Sequence, residues 1–160
     1  MRSVVVLALL AGCGDNTDLD RCLPAGFADG EGKIANEPIG PFVRAGQVPT
    51  SSQRFGLTHA FVLDESPGAC GEAPADGRRL VIAFCEQPTE ADYAIVPDSQ
   101  FSCGAGQALA VVELPDGTDV VKANAGTIAI TAAGACIAGT YSLTFGGDML
   151  EGSFDVAVCE

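Results

Sequence analysis

The sequence predicts an all-β body, an antiparallel β-sandwich of immunoglobulin-like or jelly-roll-like type. Three observations carry this expectation. From about residue 42, apolar residues recur at every second position, the period of a strand with one buried face. Gly, Pro and Asp clusters interrupt the alternation every 8–12 residues or so, as hairpin-connected strands require. Outside the first dozen residues no stretch carries the 3.6-residue stripe of an amphipathic helix; Ala132-Ala133-Gly134-Ala135 is short and broken by glycine.

The strands follow in order. Phe55, Leu57, His59, Phe61 and Leu63 alternate with Arg54, Gly56, Thr58, Ala60 and Val62. Leu80, Ile82 and Phe84 form the next inward set, and Tyr93 and Ile95 a shorter one. Leu109 to Val112 is a continuous apolar run ended by Pro115-Asp116-Gly117, a strong turn sequence. Ile128 and Ile130 alternate with Thr127, Ala129 and Thr131, and Ile137, Tyr141, Leu143 and Phe145 with Ala138, Thr140, Ser142 and Thr144. Gly146-Gly147-Asp148 turns the chain into a last strand with Phe154, Val156 and Val158 on one face.

Upstream of the body the chain reads differently. Met1-Arg2-Ser3 is a short positive start, Val4 to Leu10 an apolar run, and small residues lead to Cys13. The run is too short to span a bilayer but has the three regions of an export signal. Residues 14 to 40 carry Asp15, Asp18, Asp20, Gly26, Gly30, Gly32, Pro38, Gly40 and Pro41 without periodicity, the composition of a solvated tether. The Asp15/Asp18/Asp20 spacing does not fit an EF-hand loop. The expected division is therefore 1–12 signal peptide, 13–40 tether beginning at Cys13, and 41–160 folded domain.

Leu10-Ala11-Gly12-Cys13 resembles the lipobox of bacterial lipoproteins. That resemblance implies that Cys13 receives a diacylglycerol, that the signal is cut just before it, and that its new amine is acylated. Each buried methylene contributes about 0.8 kcal/mol, so two or more chains hold a protein stably on a membrane. The last forty residues carry a second resemblance. Gly126-Thr-Ile-Ala-Ile-Thr, Ala138-Gly-Thr-Tyr-Ser-Leu-Thr-Phe and Leu150-Glu-Gly-Ser-Phe-Asp before Cys159 are similar to a C-terminal pattern in uncharacterised lipoproteins of myxobacterial-type genomes. Its motifs are structural and bring no catalytic residue with them.

With Cys13 lipidated, Cys22, Cys70, Cys85, Cys103, Cys136 and Cys159 remain, an even number in an exported chain, and so read as disulfides. No two stand at CxxC spacing, which leaves a zinc ribbon or thioredoxin-like motif unsupported. Strand parity places Cys85 opposite to Leu80, Ile82 and Phe84, and Cys159 opposite to Phe154, Val156 and Val158. If those strands are neighbours, Cys85 and Cys159 could meet on the outer face.

The chemistry is bounded by composition. A net charge of −13 argues against nucleic acid or an anionic membrane surface as partner. A single His, His59, excludes any two-His metal centre from this chain alone, and its register with Phe61 and Leu63 makes it a structural residue on or near a packed face. No G-x-S-x-G, G-x-x-x-x-G-K or H-E-x-x-H motif is present. No cofactor is expected. The loop pairs Asp64/Glu65, Glu72/Asp76 and Asp116/Asp119 are the candidates for weak calcium binding if their loops converge. The leading expectation is a lipid-anchored protein of the bacterial cell envelope, at the outer membrane or a periplasmic face. It would have a binding or structural role and present its loops to an envelope protein or a glycan. A calcium-dependent adhesion module and a carboxylate-based hydrolase are the alternatives.

Overall fold

A computed structural model describes residues 26–52, 56–67, 77–115, 120–134 and 136–158. Among these residues there are twelve strands and no helix: β1 (Phe27–Ala28), β2 (Glu31–Ile34), β3 (Glu37–Ile39), β4 (Arg44–Ser52), β5 (Leu57–Asp64), β6 (Arg79–Phe84), β7 (Asp92–Ile95), β8 (Gln107–Glu113), β9 (Val120–Lys122), β10 (Ala125–Ala133), β11 (Ile137–Phe145) and β12 (Asp148–Val158). All belong to one curled, mixed sheet.

Its pairings run β12–β4–β5–β6–β8–β7–β10–β11 and return from β11 to β12. The circuit closes through two short parallel seams, Ala157↔Gly46 with Val158↔Gln47, and Ala94↔Gln107 with Ile95↔Ala108. Every other pairing is antiparallel, as the short turns between alternating strands require. A two-residue seam leaves much of a strand's edge unpaired, and unpaired backbone edges are an aggregation hazard. The molecule covers both. β1 and β2 take the part of the β12 edge that β4 leaves, through Ala28↔Phe154 and Leu150↔Gly32, and β9 takes the remainder of β8.

This use of β1 and β2 corrects the boundary expected at residue 40. The paired body already includes residues 27–39, and Ala28, Ile34 and Ile39 are buried in the core. Their sequence lacks periodicity because each strand is only two to four residues long; β1 and β2 pair with β12, and β3 with β2. At Asp29 the attachment is specific. Its Oδ1 accepts hydrogen bonds from the Ser153 N–H at 2.7 Å and Oγ at 2.8 Å, and its N–H donates to the Ser153 carbonyl at 3.0 Å.

Most of the expected inward residues face the core: Phe61 and Leu63, Leu80, Ile82 and Phe84, Tyr93 and Ile95, Ile128 and Ile130, then Tyr141, Leu143, Phe145, Phe154 and Val156. Leu57, expected on the same face as Phe61, instead joins Ala60 in a separate outer cluster. The Leu109–Val112 run resolves into alternation, Ala108, Ala110 and Val112 inward and Leu109 in a second cluster outside. A chain of aromatic contacts crosses the core. Tyr93 meets Phe84 edge-on at 5.1 Å, Phe84 meets Phe61 at 4.9 Å, Phe61 meets Phe154 at 5.5 Å, and Phe154 stacks on Tyr141 at 6.5 Å. Such pairs contribute about 0.5–1.5 kcal/mol each beyond their burial.

The Gly-x-Tyr and Gly-x-Phe motifs near the C-terminus acquire a physical reason. Gly139 lies opposite Phe154, and Tyr141 lies opposite Gly152, across the β11–β12 pair. Each aromatic ring thus covers the glycine of the neighbouring strand; a Cβ on Gly139 would stand 2.9 Å from the Phe154 ring. The Gly146-Gly147 turn has positive φ only at Gly146, the pattern of a type II′ hairpin.

The β2–β3 hairpin has the costlier version of that geometry. Its two-residue loop, closed by Ile34↔Glu37, holds Ala35 at φ 53° and Asn36 at φ 67°, the type I′ pattern. An alanine in the left-handed region costs about 1–2 kcal/mol. The double change Ala35→Asn/Asn36→Gly is expected to raise stability by about 1 kcal/mol and the melting temperature by about 2–4 °C. A calorimetric scan checks it, and an unchanged or lower midpoint contradicts it.

Candidate functional site

Cys13, Cys22, Cys70 and Cys159 lie outside the described residues, as do Glu72, Asp76, Asp116 and Asp119. Cys85 is bonded to Cys103, with a Cα–Cα distance of 5.7 Å, and Cys136 is also disulfide-bonded. The expected Cys85–Cys159 pair is therefore wrong, although the parity argument placed Cys85 on the correct, outer face. β5 and β4 stand between β6 and β12. Three strand spacings are roughly 14 Å, beyond the reach of a disulfide. The bridge instead encloses β7, joining the chain before that strand to the segment between β7 and β8.

Asp64 and Glu65, candidates for weak calcium binding, are each ion-paired with an arginine. Arg44, Asp64, Arg79 and Glu113 are successive partners across β4, β5, β6 and β8, an alternating row of charge on the outer face. Arg44 and Asp64 are 4% and 2% exposed; Asp64 Oδ2 accepts hydrogen bonds from Arg44 Nε, at 2.9 Å, and Nη2. Burial, opposed by these bonds, holds the Asp64 carboxyl above its ordinary range. Arg79 Nε reaches Glu113 at 2.5 Å.

Glu65 joins two parts of the chain. Its carboxylate accepts from Arg78 Nη2 at 2.8 Å and Nε at 3.0 Å, from the Arg78 N–H at 3.0 Å and from the Gly40 N–H at 2.6 Å. Partial burial pushes its pKa up, but these four donors outweigh it and hold the group below the usual carboxylate value. Glu65 therefore contributes stability that is present above its unfolded pKa and lost as pH falls through its folded one. None of this row was legible from sequence, because the arginines are remote in the chain and brought opposite only by strand register.

His59 is half-buried on β5, its Nδ1 2.8 Å from Thr58 Oγ1, whose hydroxyl donates to the Cys85 carbonyl at 2.6 Å. Among the described residues no three His, Cys, Asp or Glu side chains gather as a metal site.

The concave surface lies elsewhere. An open cavity of about 500 Å³ separates the β2–β3 hairpin from the start of β12, lined by Glu31, Lys33, Pro38, Ile39, Asp148 and Met149 among others. A second, of about 420 Å³, shares Glu31 and is lined by Asp29, Pro41 and Glu151. Asp148 ties the two hairpin tips together by accepting from the Asn36 N–H at 3.0 Å. Met149 is 54% exposed. The lining offers the carboxylates of Asp29, Glu31, Asp148 and Glu151, the ammonium of Lys33, and apolar contacts from Pro38, Ile39, Pro41 and Met149. No protein-family model, curated protein or solved structure matches the chain.

Proposed function

We propose that the chain is a lipid-anchored protein of the bacterial cell envelope, with a binding or structural role, held to the membrane through Cys13. The observation that carries this reading is the pairing of Leu10-Ala11-Gly12-Cys13 behind an apolar leader with a body that contains the Cys85–Cys103 disulfide and a disulfide-bonded Cys136. Disulfides form and persist in exported proteins, whereas the cytosol keeps thiols reduced. Among the described residues no helix is long and apolar enough to cross a membrane, so attachment in this reading rests on the lipid.

The body suits presentation more than catalysis. Its circuit of strands has two short seams and an aromatic chain joining opposite walls, which supports reading the curled sheet as flattened into two packed faces in the manner of a sandwich. The hairpin tips beside the acidic groove are the surface we assign to a protein or glycan partner. The myxobacterial-type resemblance belongs to the same reading and adds no substrate.

The test is fractionation of cells making the whole chain. The native sequence is expected in the membrane fraction and labelled by radioactive palmitate. Cys13→Ser is expected to lose the label and leave the membrane under salt washing. Unlabelled native protein, or a Cys13→Ser variant that stays with the membrane, overturns the proposal.

A further inference from the structure

The protein's ion pairs are unevenly placed. Asp64, Glu65, Glu113 and Asp98 each have an arginine or lysine partner. Asp29, Glu31, Asp148 and Glu151, the carboxylates around the two open cavities, are not ion-paired among the described residues. Three of them bond only to neutral neighbours: Asp29 to Ser153, Asp148 to the Asn36 N–H, and Glu151 to the Ser142 hydroxyl at 2.8 Å. Glu31 is exposed and has no such partner among the described residues.

Strand register sharpens the imbalance. Glu31 of β2 and Glu151 of β12 stand directly opposite each other in the ladder. Opposed residues have Cβ atoms about 4.5–5.5 Å apart, and like charges there destabilise a sheet. The fold thus sustains a repulsion where the two cavities meet, since Glu31 lines both. The groove also has an apolar side. Pro38 and Met149 line the larger cavity and Pro41 the smaller, and Met149 is 54% exposed. Gly32 and Gly152, also in the lining, add no side chain that would fill it.

A concave surface dominated by one sign of charge concentrates the opposite sign. A neutral glycan would leave Glu31 and Glu151 uncompensated. A guanidinium answers both, because its planar fork of N–H donors can serve two carboxylates at once. We propose, on the reading of the chain as an envelope protein with a binding role, that this groove takes a segment of a partner protein carrying arginine or lysine beside an apolar side chain. The cation lies between Glu31 and Glu151, and the apolar group packs on Met149 and Pro38. Occupation removes the repulsion, so the bound protein is the more stable one.

The purified whole chain tests this with a fluorescent Gly-Arg-Leu-Arg-Gly peptide, followed by anisotropy at low ionic strength. The peptide is expected to bind and to raise the melting temperature, and Gly-Glu-Leu-Glu-Gly to do neither. Glu31→Gln/Glu151→Gln is expected to weaken binding about tenfold, the loss of a charge-assisted contact. Glu86→Gln/Glu90→Gln makes the same change of charge at exposed residues outside the groove, and a loss below about twofold is expected. Without peptide, the Glu31→Gln/Glu151→Gln protein is expected to melt no lower than the native one, because its repulsion is gone. A lower midpoint overturns the proposal, as do an absence of peptide binding and equal losses in the two double variants. An anchored chain that ignores the peptide but binds a neutral oligosaccharide overturns it too, and leaves the envelope reading standing. A chain that binds the peptide through Glu31 and Glu151 but takes no palmitate label supports the groove and overturns the anchor.

Discussion

Replacing Arg44 with Met is expected to lower stability by about 3–5 kcal/mol, because it leaves the Asp64 carboxylate buried without its arginine. Asp64 Oδ1 already makes no hydrogen bond, so Oδ2 carries the whole of the Arg44 contact. In a domain of this size the melting temperature would fall by roughly 10 °C. Arg44→Met/Asp64→Leu is expected to recover most of the loss, since removing both charges removes the desolvation cost along with the attraction. The sign with pH follows from the raised pKa of Asp64. A carboxyl whose folded pKa lies above its unfolded value favours the folded state most below that unfolded value, and this contribution disappears as pH rises through the folded one. The deficit of the single variant is therefore expected to shrink on acidification. Urea unfolding at neutral and mildly acidic pH measures it; a deficit that grows in acid contradicts the account.

Gly152→Ala is expected to cost about 3 kcal/mol, at the upper end for overpacking. A Cβ there would stand 2.2 Å from the Asp29 carbonyl oxygen, 2.5 Å from the Tyr141 hydroxyl and 2.7 Å from Gly30 Cα. Two of those three atoms are backbone and cannot swing aside. Tyr141 cannot easily yield either: its hydroxyl donates to the Asp29 carbonyl at 2.9 Å, and burial near Asp29 holds its pKa above the usual phenol value. Tyr141→Phe in the Gly152→Ala background is expected to leave most of the loss, since the carbonyl contact persists. Gly147→Ala is the control. Nothing lies within 4 Å of its Cβ position, and a change within about 0.5 kcal/mol is expected. Equal midpoints for the Gly152 and Gly147 variants would show that β1 and β2 do not rest tightly on β12.

Several strands were legible because their signal is local. Phe61, Leu63, Leu80, Ile82, Phe84, Tyr141, Leu143 and Phe145 repeat every second residue, and pleating alone sends such residues to one face. β4 escaped notice for the converse reason. Its sequence, Arg-Ala-Gly-Gln-Val-Pro-Thr-Ser-Ser, places small Ala45 in the core and buries Arg44 on the opposite face, so polarity and burial do not alternate together. β1, β2 and β3 escaped because strands of two to four residues are too short to show a period. Hairpin turns with glycine were readable at Gly146-Gly147, but Ala35-Asn36 was not, since alanine gives no cue for a left-handed backbone. Asp64/Glu65, Glu72/Asp76 and Asp116/Asp119 are acidic pairs close together in sequence. The partners that claimed Asp64 and Glu65, Arg44 and Arg78, are 20 and 13 residues away.

What the sequence determined by itself is therefore whatever depends on neighbours along the chain. That covers the all-β class, the inward face of most of the periodic strands, the glycine turns, and the outer-face position of Cys85. Tertiary structure alone decided which strands meet. It placed β4 and β5 between β6 and β12, closed the circuit through two parallel seams, and laid residues 27–39 along an otherwise open edge. From that order came the choice of Cys103 over Cys159 and the commitment of Asp64 to Arg44. The physical reason is one of range. A two-residue period records which side of a strand is buried, but not which strand lies beside it, and both disulfides and ion pairs act only across that shorter gap.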